Sequence, residues 1–88
     1  PLSDLRPIAG LTSIEYLDIS GTAVSKLDPL SGMLLLKELS CYNTPVKKLD
    51  PIMNLANLKT LKCYNTKLNE KKVASYKAAN PQCEVTFY

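Results

Sequence analysis

The chain has 88 residues, enough for one domain, and its hydrophobic (45%) and charged (22%) fractions are ordinary for a globular fold. The longest apolar run spans only residues 33–36, far short of the roughly 20 residues of a membrane-spanning helix. The net charge of +3 is uneven: residues 1–44 carry three basic and five acidic groups, whereas residues 45–88 carry eight and three. The three cysteines, with no His and no CxxC pair, argue against a closed disulfide framework and against a zinc site.

From residue 5 onward the sequence repeats at a constant step of 22 residues. The pattern Ile14-x-x-Leu17-x-Ile19-x-x-Thr22-x-Val24 recurs as Leu36-x-x-Leu39-x-Cys41-x-x-Thr44-x-Val46 and as Leu58-x-x-Leu61-x-Cys63-x-x-Thr66-x-Leu68. The residues before it recur as well, namely Leu5, Pro7, Ile8 and Leu11, then Leu27, Pro29, Leu30 and Met33, then Leu49, Pro51, Ile52 and Leu55. The agreement holds without any insertion, so it indicates tandem structural repeats.

Each copy is predicted to form a strand, a turn and a short helical leg. Around Leu17 and Ile19 apolar residues alternate with polar ones, which is typical of a strand. Turns rich in Gly, Asn and Thr follow at 20–22, 42–44 and 64–66. Asp28 and Asp50 each precede a Pro, which predicts a helix start capped by the carboxylate, with room for only a 3₁₀ turn. One copy cannot bury its own apolar face, so the copies must stack their strands into a parallel sheet.

These spacings resemble the leucine-rich-repeat pattern L-x-x-L-x-L-x-x-N-x-L, and the repeat length is most similar to that of internalin-like and other bacterial surface proteins. The resemblance covers nearly the whole chain. It implies an α/β fold, a right-handed leucine-rich-repeat solenoid with parallel strands on its concave face and short 3₁₀ or irregular return legs. The column in which the family has Asn holds Thr here, at Thr22, Thr44 and Thr66. A Thr hydroxyl can bond to the same backbone groups, and we expect Asn43 and Asn65 to share that task.

After residue 68 the pattern changes in a way that predicts a C-terminal cap. Asn69 is placed to cap a helix over about 70–79, and Asn80-Pro81 would end it. Residues at about 83–87 alternate as a final strand, and this ending resembles the terminal segment of many leucine-rich-repeat domains. The chain therefore divides into three stacked repeats at 1–68 and a cap at 69–88.

The 22-residue step also predicts how the last strand joins the sheet. Cys83 lies 22 residues after Leu61, and Val85 lies 22 residues after Cys63. We therefore expect the last strand to continue the sheet in that register.

The other end opens in mid-repeat, because Pro1-Leu2 aligns with Ala23-Val24 and no capping element precedes it. We expect further repeats upstream, and we expect the chain without them to self-associate through this end or to be only marginally stable. The apolar side chains expected at the open end are Leu2, Leu5, Ile8, Leu11 and Ile14.

In leucine-rich repeats the residues between the inward strand positions point out from the concave face. The resemblance places there Tyr16, Asp18, Ser20, Glu38, Ser40, Tyr42, Thr60, Lys62, Tyr64, Glu84 and Thr86. Exposed Tyr is a frequent anchor of binding interfaces. We expect the partner-binding residues to be Tyr16, Asp18, Glu38, Tyr42, Lys62 and Tyr64. Tyr42 should lie directly beside Tyr64, and such a pair can also serve the sheet by cross-strand packing, so both roles stay open.

Other reactive residue types have simpler interpretations. Cys41 and Cys63 fill the inward column of Ile19, where a free Cys acts as a small buried hydrophobe, with a ligand or disulfide role as the alternative. The eight lysines of residues 45–88 include no Arg among them, which favours a solvated surface over an acidic partner or nucleic acid. No His, no nucleophile with an adjacent base and no Gly-rich phosphate loop is present, so we expect no enzyme, no cofactor and no metal.

The resemblance implies a non-catalytic scaffold that binds a protein partner through its concave face. It also implies a larger bacterial surface or secreted protein, located outside the cell and used in adhesion or host contact. Two alternatives stay open, a structural spacer without a ligand and a glycan-binding face on which tyrosines stack against sugar rings.

Overall fold

Four short strands lie side by side in chain order and form a parallel sheet in the computed structural model, which describes residues 2–88. The strands are β1 (Tyr16–Asp18), β2 (Glu38–Ser40), β3 (Thr60–Lys62) and β4 (Glu84–Thr86). The return legs hold three 3₁₀ turns and one helix, at Arg6–Ile8, Asp28–Leu30, Asp50–Ile52 and α1 (Glu70–Ala79). The predicted solenoid of strand, turn and helical leg is confirmed. Pro1, the first residue of the segment predicted to hold the repeats, lies outside the described residues.

Strands β1 to β3 pair at a constant offset of 22 residues. Leu17 lies beside Leu39, and Leu39 lies beside Leu61. The backbone N–H of Ile19 donates to the carbonyl of Ser40 over 2.8 Å, and the same bond recurs one coil later. Equivalent side chains of successive coils are therefore about 4.8 Å apart, the spacing of neighbouring strands.

The inward positions of all coils form one continuous hydrophobic core. The repeats contribute the same inward columns, so inward apolar side chains pack on their equivalents in the neighbouring coils. The buried members of the core are Leu5, Ile19, Val24, Leu27, Leu30, Met33, Leu36, Leu39, Cys41, Val46, Leu49, Ile52, Leu55, Leu58, Leu61, Cys63, Leu68, Val73, Tyr76 and Cys83.

Threonine hydroxyls close the turn after each strand. The Oγ1 of Thr44 donates to the carbonyl of Cys41 over 2.6 Å, and this bond is buried. Thr22 and Thr66 donate to the equivalent carbonyls over 2.7 and 3.0 Å. The prediction that these Thr hydroxyls bond to the backbone, as the family Asn does, is therefore confirmed.

Asn43 and Asn65 have a different role from the one expected. Both take the left-handed backbone conformation, with φ of 56° and 51°, and Gly21 occupies the same column at 72°. Asn tolerates this conformation better than most residues with a side chain. The Nδ2 of Asn65 donates to the Oδ1 of Asn43 over 2.7 Å, so the side chains bond to each other and the expected bond to backbone is wrong.

The 3₁₀ turns begin one residue earlier than the Asp-Pro pairs predict. Asp28 and Asp50 are the first residues of their turns, after Leu27 and Leu49, and neither turn has a side-chain cap bond. The predicted capping by these carboxylates is therefore wrong. A residue already inside the turn points its side chain away from the free amides, and the Pro that follows supplies the fixed φ instead.

The C-terminal cap is built on α1. The Oδ1 of Asn69 accepts from the backbone N–H of Lys72 over 2.8 Å, so Asn69 caps the helix as predicted. Asn80 ends the helix and is buried, and its side-chain amide donates to the carbonyl of Met53 over 3.1 Å. Helix α1 and strand β4 fall within the segments predicted for them, and the division into repeats at 1–68 and cap at 69–88 stays a prediction.

Strand β4 joins the sheet in a register different from the predicted one. Val85 lies beside Leu61 and Glu84 beside Thr60, an offset of 24 residues instead of 22. Helix α1 replaces the short return leg and lengthens the coil by two residues. Because the shift is even, the strand keeps the same face toward the core.

The apolar residues expected at the N-terminal end differ in exposure. Leu2 and Leu11 are 49% and 55% exposed, and Ile8 and Ile14 are half-buried. Leu5 is buried in the core, so the expectation is wrong for Leu5. None of the helices in the described residues has the length and apolar character needed to cross a bilayer.

Candidate functional site

The outward residues of the four strands form a surface of three rows, which we call the concave face. The first row holds Tyr16, Glu38, Thr60 and Glu84. The second holds Asp18, Ser40, Lys62 and Thr86. The third lies just beyond the strand ends and holds Ser20, Tyr42 and Tyr64. The structure thus places all six residues predicted to bind a partner on one face, and their binding role stays a prediction.

Tyr42 and Tyr64 stack on each other in the third row. Their ring centroids are 4.5 Å apart and the ring planes differ by 8°. The predicted adjacency is confirmed, and it follows from the strand spacing, which matches the distance of two stacked rings. Both residues are half-buried, and their two facing ring faces cover each other.

Tyr16 is a separate aromatic feature of the concave face. It is 64% exposed and stands in the first row beside Glu38. Ser20 is four positions further along the chain, so Tyr16 lies about 13 Å along the strand from the row of the stacked pair. An ion pair of 2.9 Å between Lys37 and Glu15 borders it. The aromatic contacts of this face are therefore spread over two rows.

Asp18 is a fixed carboxylate in the second row. Its Oδ1 accepts from the backbone N–H of Ser20 over 3.0 Å and from the Ser20 hydroxyl over 2.6 Å. These hydrogen bonds, with a smaller contribution from the charge of Lys62, hold the pKa of Asp18 below its usual value. The group is therefore ionised at neutral pH.

The cysteines lie inside the core, in the columns predicted for Cys41 and Cys63. Burial raises the pKa of Cys41 to about 12 and that of Cys63 to about 11, with neighbouring cysteines adding a smaller effect. Thiols that stay protonated at neutral pH are poor nucleophiles and poor metal ligands. Within residues 2–88 no three cysteine or carboxylate side chains converge as a metal site would require.

Sequence reasoning missed the asparagine pair beside the tyrosine stack. The Asn43–Asn65 bond lies on an open groove lined also by Thr44, Thr66 and Lys67, next to the third row. The sequence signal that could have revealed this turn is the shared column of Gly21, Asn43 and Asn65. Gly and Asn are the residues that most readily accept a positive φ.

Comparisons with known proteins agree with this architecture. A structure of internalin C2 from Listeria monocytogenes matches with a TM-score of 0.84 and 30% sequence identity, over 94% of this chain and 35% of that chain. The functional domain of InlJ from Listeria monocytogenes, which includes a cysteine ladder, matches with a TM-score of 0.76 and 22% identity, over 98% of this chain and 18% of that chain. No protein-family model and no curated protein matches the sequence.

The chain spans only about a third of the internalin C2 chain and less of the InlJ domain. The match nevertheless extends over nearly all of this chain. The 22-residue repeat and the four-stranded parallel sheet agree with it. The chain is an internalin-like leucine-rich-repeat solenoid.

Proposed function

We propose that the chain is a non-catalytic scaffold that binds a protein partner through its concave face. The observation that carries this proposal is the composition of that face. Three tyrosines stand on it among polar and charged side chains, above strands whose inner residues are packed in the core. Tyr supplies large contact area with little loss of side-chain freedom, which is why it is common in binding interfaces.

A binding role fits the chemistry of the face better than a catalytic one. The carboxylate of Asp18 is held ionised on an open surface, and the thiols are buried. Catalytic groups instead gather in clefts, where burial shifts their pKa toward the operating pH. We therefore propose that the chain is not an enzyme.

The parent protein is proposed to be a bacterial surface or secreted protein that contacts a host or neighbouring cell. This proposal is supported by the similarity to Listeria monocytogenes internalins. A location outside the bacterial cell is part of this proposal.

Affinity capture from extracts of candidate target cells tests the binding role. The bait is compared with a concave-face variant carrying Tyr42→Ala, Lys62→Ala and Tyr64→Ala. A control variant carries Leu34→Ala, Lys71→Ala and Tyr88→Ala, three exposed residues outside the three rows. Leu34 precedes β2, Lys71 lies in α1, and the hydroxyl of Tyr88 donates to Glu70 of α1. Thermal unfolding of all three proteins verifies that each bait is folded.

We expect a partner that binds the parent and the control variant and is lost with the concave-face variant. Binding that falls with salt indicates charge-assisted protein recognition, whereas salt-insensitive binding of a sugar would support the glycan alternative. Capture that is equal for all three baits, or absent, would contradict the proposal and favour the spacer alternative.

A further inference from the structure

The tyrosine stack ends abruptly on the side of β1. Tyr42 turns one ring face to Tyr64 and the opposite face toward the first strand. The residue of β1 in the same row is Ser20, and Gly21 follows it. Ser20 extends only to a hydroxyl, which is bonded to Asp18. Within residues 2–88 no third ring continues the stack, because the first coil has Ser20 where the next two coils have Tyr. We call the space above Ser20, beside the outer face of Tyr42, the gap.

A carboxylate borders this gap. Asp18 precedes Ser20 by two residues on the same face, and cross-strand diagonal neighbours such as Asp18 and Tyr42 are about 7–8 Å apart. Both hydrogen bonds from Ser20 go to Oδ1 of Asp18, which fixes the carboxylate and leaves Oδ2 with no partner among the described residues. The gap therefore has an aromatic face on one side and a free anionic oxygen beside it.

We propose that this gap receives an arginine side chain of the protein partner, with the guanidinium stacked on Tyr42 and paired with Asp18. The proposal rests on the concave face being the binding surface and names the chemistry of one contact on it. A guanidinium is planar and cationic, so it is attracted to an aromatic face and donates to carboxylate oxygen at the same time. It would take the place that a third ring would have in the stack.

The opposite end of the stack has the reverse charge. The free face of Tyr64 points toward β4, and the second row beside it holds Lys62 and Thr86. A cation approaching there would meet the Lys62 ammonium, and β3 and β4 contribute no carboxylate to the second row. On β1 and β2, by contrast, the charged residues of the concave face are Asp18 and Glu38. Charge therefore selects the Tyr42 end for a basic side chain.

An NMR titration of the chain with N-acetylarginine amide tests the proposal directly. Saturable shifts are expected at the Tyr42 ring and at the Ser20 and Gly21 amides. N-acetylcitrulline amide has a similar flat shape without the charge. It loses both the cation–π contact and the pairing with Asp18, so it should bind about three- to thirtyfold more weakly.

Two variants separate the gap from general attraction to an acidic surface. Ser20→Tyr should extend the stack, fill the gap and abolish the arginine shifts, and it should fold because Tyr42 and Tyr64 already occupy that column. Asp18→Asn should weaken binding by about two- to fivefold, the worth of an exposed ion pair, while the ring stays in place. The matched controls are Glu84→Gln and Tyr88→Leu, a carboxylate and an exposed tyrosine remote from the gap, and both should bind as the parent does.

Equal shifts with citrulline, or shifts that survive Ser20→Tyr, would overturn the proposal. Failure here is distinguishable from failure of the binding role. A captured partner that needs Tyr42, Lys62 and Tyr64 but tolerates Asp18→Asn would uphold the concave face and refute only the arginine contact.

Discussion

Individual turn residues fix the geometry on which the concave face depends. The hydroxyl of Thr44 bonds to the carbonyl of Cys41 at the end of β2, directly below the row of Tyr42. A buried hydrogen bond of this kind contributes about 1 kcal/mol, and removing one partner costs more because the other loses its bond. Thr44 therefore helps to hold the chain where it leaves the sheet.

Replacing Thr44 with Val is expected to lower the free energy of unfolding by about 1–2 kcal/mol. The side chain keeps its shape, so the loss measures the bond. Thr12→Val, at an exposed position, serves as the control and should change stability by less than about 0.5 kcal/mol. Chemical denaturation of the two variants gives the comparison, and equal effects would show that the hydroxyl of Thr44 is dispensable.

The left-handed backbone at Asn43 makes a second prediction at the residue scale. Asn43→Ala should cost roughly 1 kcal/mol more than Asn43→Gly, since both remove the bond to Asn65 but only Ala adds a Cβ at a φ of 56°. Denaturation midpoints with an unchanged slope would supply the difference. Equal stabilities of the Ala and Gly variants would mean that the turn relaxes to another conformation.

At the scale of elements, helix α1 carries a buried hydroxyl at Tyr76. The hydroxyl of Tyr76 is buried without a hydrogen-bond partner in the described residues, although the thiol of Cys83 lies nearby. Burial, with a smaller effect of Cys83, raises the pKa of Tyr76 above its usual range. The ring itself is fully buried and anchors α1 on the core.

Tyr76→Phe is therefore expected to stabilise the chain by up to about 1 kcal/mol, because it removes the desolvated hydroxyl and keeps the ring. The control is Tyr76→Leu, which leaves a cavity and should destabilise by at least about 1 kcal/mol. Thermal unfolding distinguishes them. A loss of stability in Tyr76→Phe would reveal that the hydroxyl has a partner in solution.

The elements were predictable to different degrees. The strands β1 to β3 and the cap by Asn69 were predictable from local patterns. Period-2 alternation indicates a strand, and an Asn directly before a helical pattern indicates a helix N-cap. The register of β4 did not follow, since a constant step cannot reveal that α1 adds two residues to its coil. The side-chain bond between Asn43 and Asn65 was missed because it forms between coils, and the sequence alone does not give side-chain direction.

The concave-face positions were predictable for a related reason. Alternation fixes which residues face outward, and the 22-residue step fixes which of them are neighbours, so the stack of Tyr42 and Tyr64 was foreseen. The gap above Ser20 was not foreseen. It depends on Ser20 standing in the third row of the first coil, where the next two coils have Tyr, and on the hydrogen bonds by which Ser20 fixes the Asp18 carboxylate.

On the scale of the whole molecule, the buried thiols couple stability to alkaline pH. The folded chain holds Cys41 and Cys63 protonated well above the ordinary thiol pKa of 9.0, which applies once the chain unfolds. Their contribution is thus fully present below pH 9 and is lost as the pH rises toward the folded values. At pH 10 each thiol ionises in the unfolded chain but stays protonated in the folded chain. We expect this difference to lower the free energy of unfolding by roughly 1 kcal/mol per thiol, relative to pH 7.

Denaturation curves between pH 7 and pH 10 measure this effect. The variant carrying Cys41→Val and Cys63→Val removes the two titrating groups while keeping an apolar side chain in each column, so its stability should fall less over that range. Identical pH dependence of parent and variant would show that the thiols titrate alike in the folded and unfolded chain.

The concave face as the binding surface is tested most directly by hydroxyl-radical footprinting of the chain with its captured partner. Tyrosines oxidise readily, and the chain carries exposed or half-exposed tyrosines both on the concave face and at the C-terminus. Binding is predicted to reduce the oxidation of Tyr16, Tyr42 and Tyr64 and to leave that of Tyr88 unchanged. Protection of Tyr88 with unaltered oxidation of the other three would place the partner on the cap and contradict the account.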